Sequence, residues 1–299
     1  MTVYGVHTGL QHTGVDELVS LWQRIESLGF DWISIWDHFY AADMTGNPTC
    51  LEAVSMQAAL AASTSRVRVG SLVYCVGYRH PAVLAKSVTA IDLLSGGRAD
   101  IGLGAGWSEV EYKAYGIPFP SVGERMDMLE EAAECVRGLL RSPEGFSFSG
   151  RHFTLDGAMN APAPVQAELP VWIGGSGEKR TLRIAAQFAD GWNVPFVSPA
   201  VFAQKRAVLH SWCERVGRDP SSIRCAVNVG YAKDSDDLGE QFGNIRSIVE
   251  PGVLVGGAAQ VAERVAEYVE AGADQVNLAL RAPWDVDRLE KAAQALGLG

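Results

Sequence analysis

Along the chain, short apolar runs alternate with longer stretches in which apolar positions recur three and four residues apart. Uninterrupted apolar runs of this length read as strands buried on both faces, and the 3.6-residue recurrence reads as amphipathic helix. The pattern predicts strands at 3–8, 32–36, 67–75, 99–103, 171–174, 191–194, 223–230 and 275–280. Between and after them it predicts helices at 15–28, 50–62, 82–94, 125–140, 178–189, 199–216, 258–271 and 285–296. A short hairpin is expected over 146–155, turning at Ser149-Gly150, as an insertion. The polar, glycine-rich stretch 234–256 is compatible with a helical insertion in the seventh unit or with a mobile loop.

Strictly alternating strands and helices call for a parallel sheet covered by its crossovers. With no Gly/Ser-rich linker between halves, the expectation is one α/β domain over residues 1–299, a (β/α)8 TIM barrel with short insertions. In such a barrel the chemistry sits just after the strands, which selects the candidate residues.

Composition removes several alternatives. With 47% hydrophobic and 20% charged residues the chain can bury a large core. A net charge of −10 argues against nucleic-acid binding. The five cysteines contain no C-x-x-C pair and leave one over, which fits a reducing, cytoplasmic setting better than a disulfide framework or a zinc site. The histidines show no metal-ligand spacing, G-x-S-x-G is absent, and neither a signal peptide nor a membrane-spanning run is expected.

Three strand ends carry candidate chemistry. Gly174-Gly175-Ser176-Gly177 links a strand to the helix expected from Glu178, with Lys179 and Arg180 adding positive charge. Backbone amides at such a turn attract phosphate, although an ordinary tight turn has the same composition. Asp37-His38 follows the second strand, where a histidine can exchange a proton near neutral pH; a buried structural histidine accounts for it equally. Gly102-Leu-Gly104-Ala105-Gly106-Trp107 departs from the dinucleotide fingerprint. Its glycines would let a flat ring approach, with Trp107 and Tyr112 lining a pocket or buried as core. Arg98, after Gly96-Gly97, reads as part of a helix-ending turn.

Together with Glu26-Ser-Leu-Gly-Phe-Asp-Trp, Trp36-Asp-His-Phe, Arg79-His-Pro-Ala, Leu94-Ser-Gly-Gly-Arg, Glu111-Tyr and Ala189-Asp-Gly-Trp-Asn193, these segments resemble the luciferase-like monooxygenase superfamily. The resemblance covers nearly the whole chain and is nearest to the deazaflavin (coenzyme F420)-dependent oxidoreductase branch. It implies a usually dimeric barrel, here a homodimer, that binds coenzyme F420, or alternatively FMN, at the strand ends and acts on a small-molecule substrate.

Carried over by position, Ser176 and Gly177 are phosphate ligands, with Tyr112 a further one. Ser71-Leu72 is similar to the family's non-prolyl cis peptide behind the ring. Asp37 corresponds to a ring-contacting carboxylate and His38 to a proton-transferring histidine. Where the sugar-phosphate dehydrogenase branch has a catalytic glutamate, this chain has Trp107, which disfavours that activity. The reading is hydride exchange between the deazaflavin C5 and a small organic substrate, with His7, Gln11 and Trp284 completing the mouth. The alternatives are an FMN-dependent monooxygenase using dioxygen and a non-catalytic cofactor-binding barrel.

Overall fold

The computed structural model describes residues 2–142 and 144–298. The chain runs β1 (Val3–Thr8), α1 (Val15–Ser27), β2 (Trp32–Ile35), α2 (Ala53–Ser63), β3 (Arg68–Ser71), β4 (Tyr74–Cys75) and α3 (Pro81–Ser95). It continues through β5 (Ile101–Gly104), α4 (Glu109–Ala114), α5 (Val122–Arg141), β6 (Phe146–Ser149), β7 (Thr154–Ala158), β8 (Val171–Gly174) and α6 (Thr181–Phe188). Then follow β9 (Gly191–Pro195), α7 (Pro199–Arg215), β10 (Arg224–Ala232), α8 (Ser235–Phe242), α9 (Arg246–Val249) and β11 (Val253–Val255). The last elements are α10 (Ala258–Glu270), β12 (Gln275–Leu280) and α11 (Val286–Ala295).

The strands pair in the order β3-β2-β1-β12-β10-β9-β8-β5-β4, all parallel. The ring closes because β3 and β4 are two pieces of one predicted strand. The Val69 amide donates to Arg98 O and the Asp100 amide to Val69 O, both at 2.9 Å, and further along Tyr74 and Cys75 pair with Leu103 and Gly104. Between these stretches the chain leaves the ladder in a bulge at Leu72-Val73. The architecture is therefore the expected barrel. Its interior is filled: Trp32 and Trp172 lie 5.6 Å apart, and a polar cluster joins Asn193, Asn228 and Asn277 through amide hydrogen bonds of 2.9–3.0 Å.

The helices form where apolar spacing gives them one buried face. In α1 that face is Leu18, Leu21, Trp22 and Ile25, each contributing about 1.5–3 kcal/mol on burial. α5 starts three residues before its first expected residue, because Ser121 and Glu124 form a reciprocal capping box. α3 begins at Pro81 and ends on Gly96 in the left-handed region, φ +69°. The Arg98 turn is as expected, and its guanidinium also donates to the carbonyls of Ala61 and Thr64 at the end of α2.

Two insertions are defined. The hairpin is β6 with β7, its return strand running to Ala158, and the Glu131 carboxylate holds the turn amides of Arg151, His152 and Phe153. Residues 235–255 are ordered secondary structure rather than a loop. α8, α9 and β11 pack Leu238, Phe242, Ile245, Val249 and Val253 into a small core of their own with Ala232, and β11 adds to the end of β10. Among the described residues no helix is long and apolar enough to cross a membrane.

Candidate active site

The ends of β2, β4, β5 and β8 bring the candidate residues to one face. The non-prolyl cis peptide is present, but it joins Leu72 to Val73, one bond beyond the expected Ser71-Leu72. Ser71 still belongs to the regular ladder: its amide-side register with Ile35 is intact, and its hydroxyl accepts from the Gly102 amide at 3.2 Å. The departure comes only after the Leu72 amide has donated to Ile35 O at 2.8 Å.

The glycines around the bulge have a different use from the one expected. A Cβ on Gly104 would lie 2.4 Å from Val73 Cγ2, and one on Gly174 would lie 2.6 Å from Val73 Cγ1. Their missing side chains make room for Val73, so the bulge fills the space first. Ala105 and Gly106 continue the strand end, with Gly106 at φ +76° and a would-be Cβ 2.5 Å from Cys75 Sγ.

Asp37 and His38 point to different partners. Asp37 is buried and receives Arg79 Nη1 at 2.6 Å, Arg79 Nη2 at 3.1 Å and the Cys75 amide at 2.9 Å. Burial pushes its carboxyl up against the opposing pull of Arg79. With both oxygens taken, Asp37 braces the strand after the bulge, and its side chain has no exposure to the mouth. Arg79 also joins Glu52, which caps α2.

His38 faces Glu111, the residue that sequence reasoning missed as a partner. Nδ1 lies 2.9 Å and 3.1 Å from the two Glu111 oxygens, and the same carboxylate accepts from Tyr78 Oη and from the Tyr40 amide at 3.3 Å. Glu111 is 1% exposed. Burial raises its carboxyl, but the hydrogen bonds from His38, Tyr78 and Tyr40 and the charge of His38 outweigh it and hold the group below its usual range. A carboxylate on Nδ1 fixes the tautomer and leaves Nε2, which has no partner among the described residues, as the nitrogen able to exchange a proton. Trp107 is half exposed and meets His38 edge-on at 5.3 Å.

Tyr112 does not present its hydroxyl to an anion. It is 1% exposed, with Oη 2.9 Å from Cys75 Sγ in a recess that Gly77 and Gly106 leave open. Burial raises its hydroxyl pKa, so it is a neutral brace between two loops.

At β8 the amides of Ser176, Gly177 and Glu178 have no hydrogen-bond partner among the described residues, and Ser176 and Gly177 are exposed. Gly175 sits at φ +124°, a conformation that turns successive amides to one side. The helix starts at Thr181, not at Glu178, because 178–180 form a turn. Arg180 is lost to the loop: it pairs with Asp127 at 2.5 Å and Glu130 at 3.6 Å. Lys179 remains exposed. Unpaired amides beside a free ammonium suit a phosphate, and the bulge offers a surface for a flat ring, so the residues fit a cofactor carrying both.

The remaining expected mouth residues are largely structural. His7 is buried against Trp36 with Nδ1 2.7 Å from Ser34 Oγ; burial first and the charge of Arg281 second lower its pKa to about 3. Gln11 accepts from the Ala42 amide at 2.7 Å and so fixes the 41–49 loop. Trp284 donates to Thr13 Oγ1 at 3.2 Å. Arg281, the first residue after β12, lies in a cleft among Gln11, Tyr231 and Phe242; the rule that mouth residues follow strands could have found it.

The luciferase-like monooxygenase family pattern matches residues 1–241. An uncharacterized protein of Mycobacterium tuberculosis is 36% identical over 139 residues, 46% of this chain. The match spans about half of that relative's length, 48%. The fold superimposes on an F420-dependent secondary alcohol dehydrogenase in complex with an F420-acetone adduct, with TM-score 0.86, 21% identity and 99% of both chains covered. It also superimposes on the oxygenating constituent of 3,6-diketocamphane monooxygenase from Pseudomonas putida in complex with FMN, with TM-score 0.75, 16% identity and 99% and 98% of the two chains covered. A barrel with its bulge and glycine loop, matched over four-fifths of its length, makes this chain a member of the luciferase-like monooxygenase family of oxidoreductases.

Proposed function

We propose that the protein is a coenzyme F420-dependent oxidoreductase acting on a small organic molecule, and that His38 is its proton-transferring residue. The observation that carries this is the His38–Glu111 pair, a half-buried imidazole oriented by a buried carboxylate beside the bulge. When bound, the deazaflavin supplies or takes a hydride at C5. The Ser176 and Gly177 amides with Lys179 bind its phosphate, and Leu72-Val73 supports its ring. The peptide at Gly104-Ala105-Gly106 closes the side. Asp37 holds the bulge through Arg79 and Cys75. His38 Nε2 delivers a proton to the substrate heteroatom as hydride reaches the adjacent carbon, and takes that proton back in the reverse direction. Glu111 keeps the imidazole turned and offsets its charge.

A proton relay at the ring suits hydride transfer, which moves a proton and a hydride together, better than dioxygen capture. The loop at Gly174–Gly177 accepts the phosphate of FMN just as well, so the reading is tested on the cofactor. Purified protein is titrated with F420 and with FMN. F420 binding, and a loss of about 10²–10⁴ in turnover for His38→Ala with F420 affinity kept, is the expected result. Tight FMN binding with NADH-driven oxygen uptake and no F420 binding refutes it, and so does a His38→Ala protein as active as the parent.

A further inference from the structure

Arg281 is out of keeping with the other cations of the barrel mouth. None of its five donors has a hydrogen-bond or ion-pair partner among the described residues, and its Nη1 is buried without one. Its guanidinium lies over two rings, 5.5 Å from the centroid of Trp36 and 4.9 Å from that of Phe242. Rings attract the cation but accept none of its hydrogen bonds in the plane, and an unpaired buried donor is costly. Of the neighbouring charges, Glu240 is exposed and the others are engaged. Arg288 holds Asp237 at 2.7 Å and Asp285 at 3.1 Å, while Asp43 faces His12 at 3.1 Å. Arg281 lines a cavity of about 500 Å³ bounded by Leu280, Phe242, Leu289 and Pro283 on its apolar side. It also sits over Trp36, two residues before His38.

We propose that this cleft is the substrate's seat and that Arg281 receives the substrate's carboxylate, so that the enzyme acts on a small monocarboxylic acid with an apolar body. The proposal rests on the oxidoreductase reading and narrows its substrate. A planar fork of unpaired N–H donors, its Cζ within 5.5 Å of two ring centroids, matches the two oxygens of a carboxylate. The acidic residues of the same cleft, Asp43, Asp237, Glu240 and Asp285, oppose any anion and a phosphate dianion more than a carboxylate, so a single negative charge placed on the Arg281 guanidinium is the most the cleft suits. Burial lowers the Arg281 pKa to about 10, which leaves it charged at neutral pH.

The test is binding of hexanoate, hexanamide, hexan-1-ol and inorganic phosphate to the purified protein, with and without F420, followed by calorimetry or ligand-observed NMR. Hexanoate is expected to bind at least ten times more tightly than hexanamide. Arg281→Gln removes that advantage and Arg281→Lys keeps part of it, with F420 affinity unchanged in both. Where Arg281→Gln does not fold, Asp43→Asn is read instead: removing one acidic charge from the cleft tightens hexanoate at least threefold. Equal binding of acid and amide, an advantage that survives Arg281→Gln, no gain in Asp43→Asn, or phosphate binding as tightly as hexanoate overturns the proposal. Because none of these readings needs turnover, they fail separately from the cofactor assignment, which falls only if F420 itself does not bind.

Discussion

His38 and Glu111 are 73 positions apart, and no spacing rule relates them. Glu111 stands in a six-residue helix too short for periodicity to reveal, and its carboxylate reaches His38 only because β2 and β5 end at the same face of the barrel. If Glu111 orients the imidazole, Glu111→Gln lowers kcat by about 10- to 100-fold while leaving F420 affinity near the parent's. A structural role alone would not change the tautomer of His38. In the parent the carboxylate holds the ring proton on Nδ1, so 15N NMR of the imidazole should show one tautomer there and a mixture in Glu111→Gln, and an unchanged tautomer with reduced kcat would assign Glu111 to packing. Of the candidate residues, His38 and the Gly174–Gly177 loop were legible as strand-end positions. The uses of Asp37 and Tyr112 were not, because the partners that take their polar atoms, Arg79 and Cys75, come from another strand end.

At the scale of elements, the bulge and the glycines opposite it form one packing unit. Gly104 takes ordinary backbone angles, so Gly104→Ala is opposed by contact with Val73 rather than by strain. Overpacking of this kind costs about 1–3 kcal/mol. In a Val73→Ala background most of that cost disappears, and urea unfolding of the two single variants and the double variant measures the coupling. Additive effects would mean that the two side chains do not compete for the same space. Sequence periodicity found all eight barrel strands, since each is a short run buried on both faces. It did not find the break in the third, because Leu72 and Val73 are as apolar as their neighbours and hydrophobicity does not record a carbonyl's direction. For 234–256 the sequence offers a helical insertion or a loop and periodicity cannot choose: the insertion forms, but its few apolar residues serve a small local core and are spaced by two helical pieces and a three-residue strand.

For the whole molecule, the burial of His7 adds one contribution to acid sensitivity. Folded His7 stays neutral down to about pH 3, whereas in the unfolded chain it takes up a proton below about 6.5. Between those values the unfolded state binds more protons, so stability rises with pH, by up to about 1.4 kcal/mol per unit from this group. The contribution is complete above pH 6.5 and is lost as the pH falls toward 3. Urea unfolding from pH 5 to 7 is expected to show a shallower slope for His7→Gln than for the parent, and identical slopes would place the proton uptake elsewhere. One further consequence follows from the way residues 235–255 are attached. β10 already pairs with β9 and β12 along the barrel, and β11 adds only to its last three residues. The ring does not need the segment to stay closed, yet the segment carries Phe242, one of the two rings over Arg281. If the cleft seats the substrate, exchanging residues 235–255 alters its wall at Phe242 and leaves the His38–Glu111 pair, which lies outside the segment, untouched.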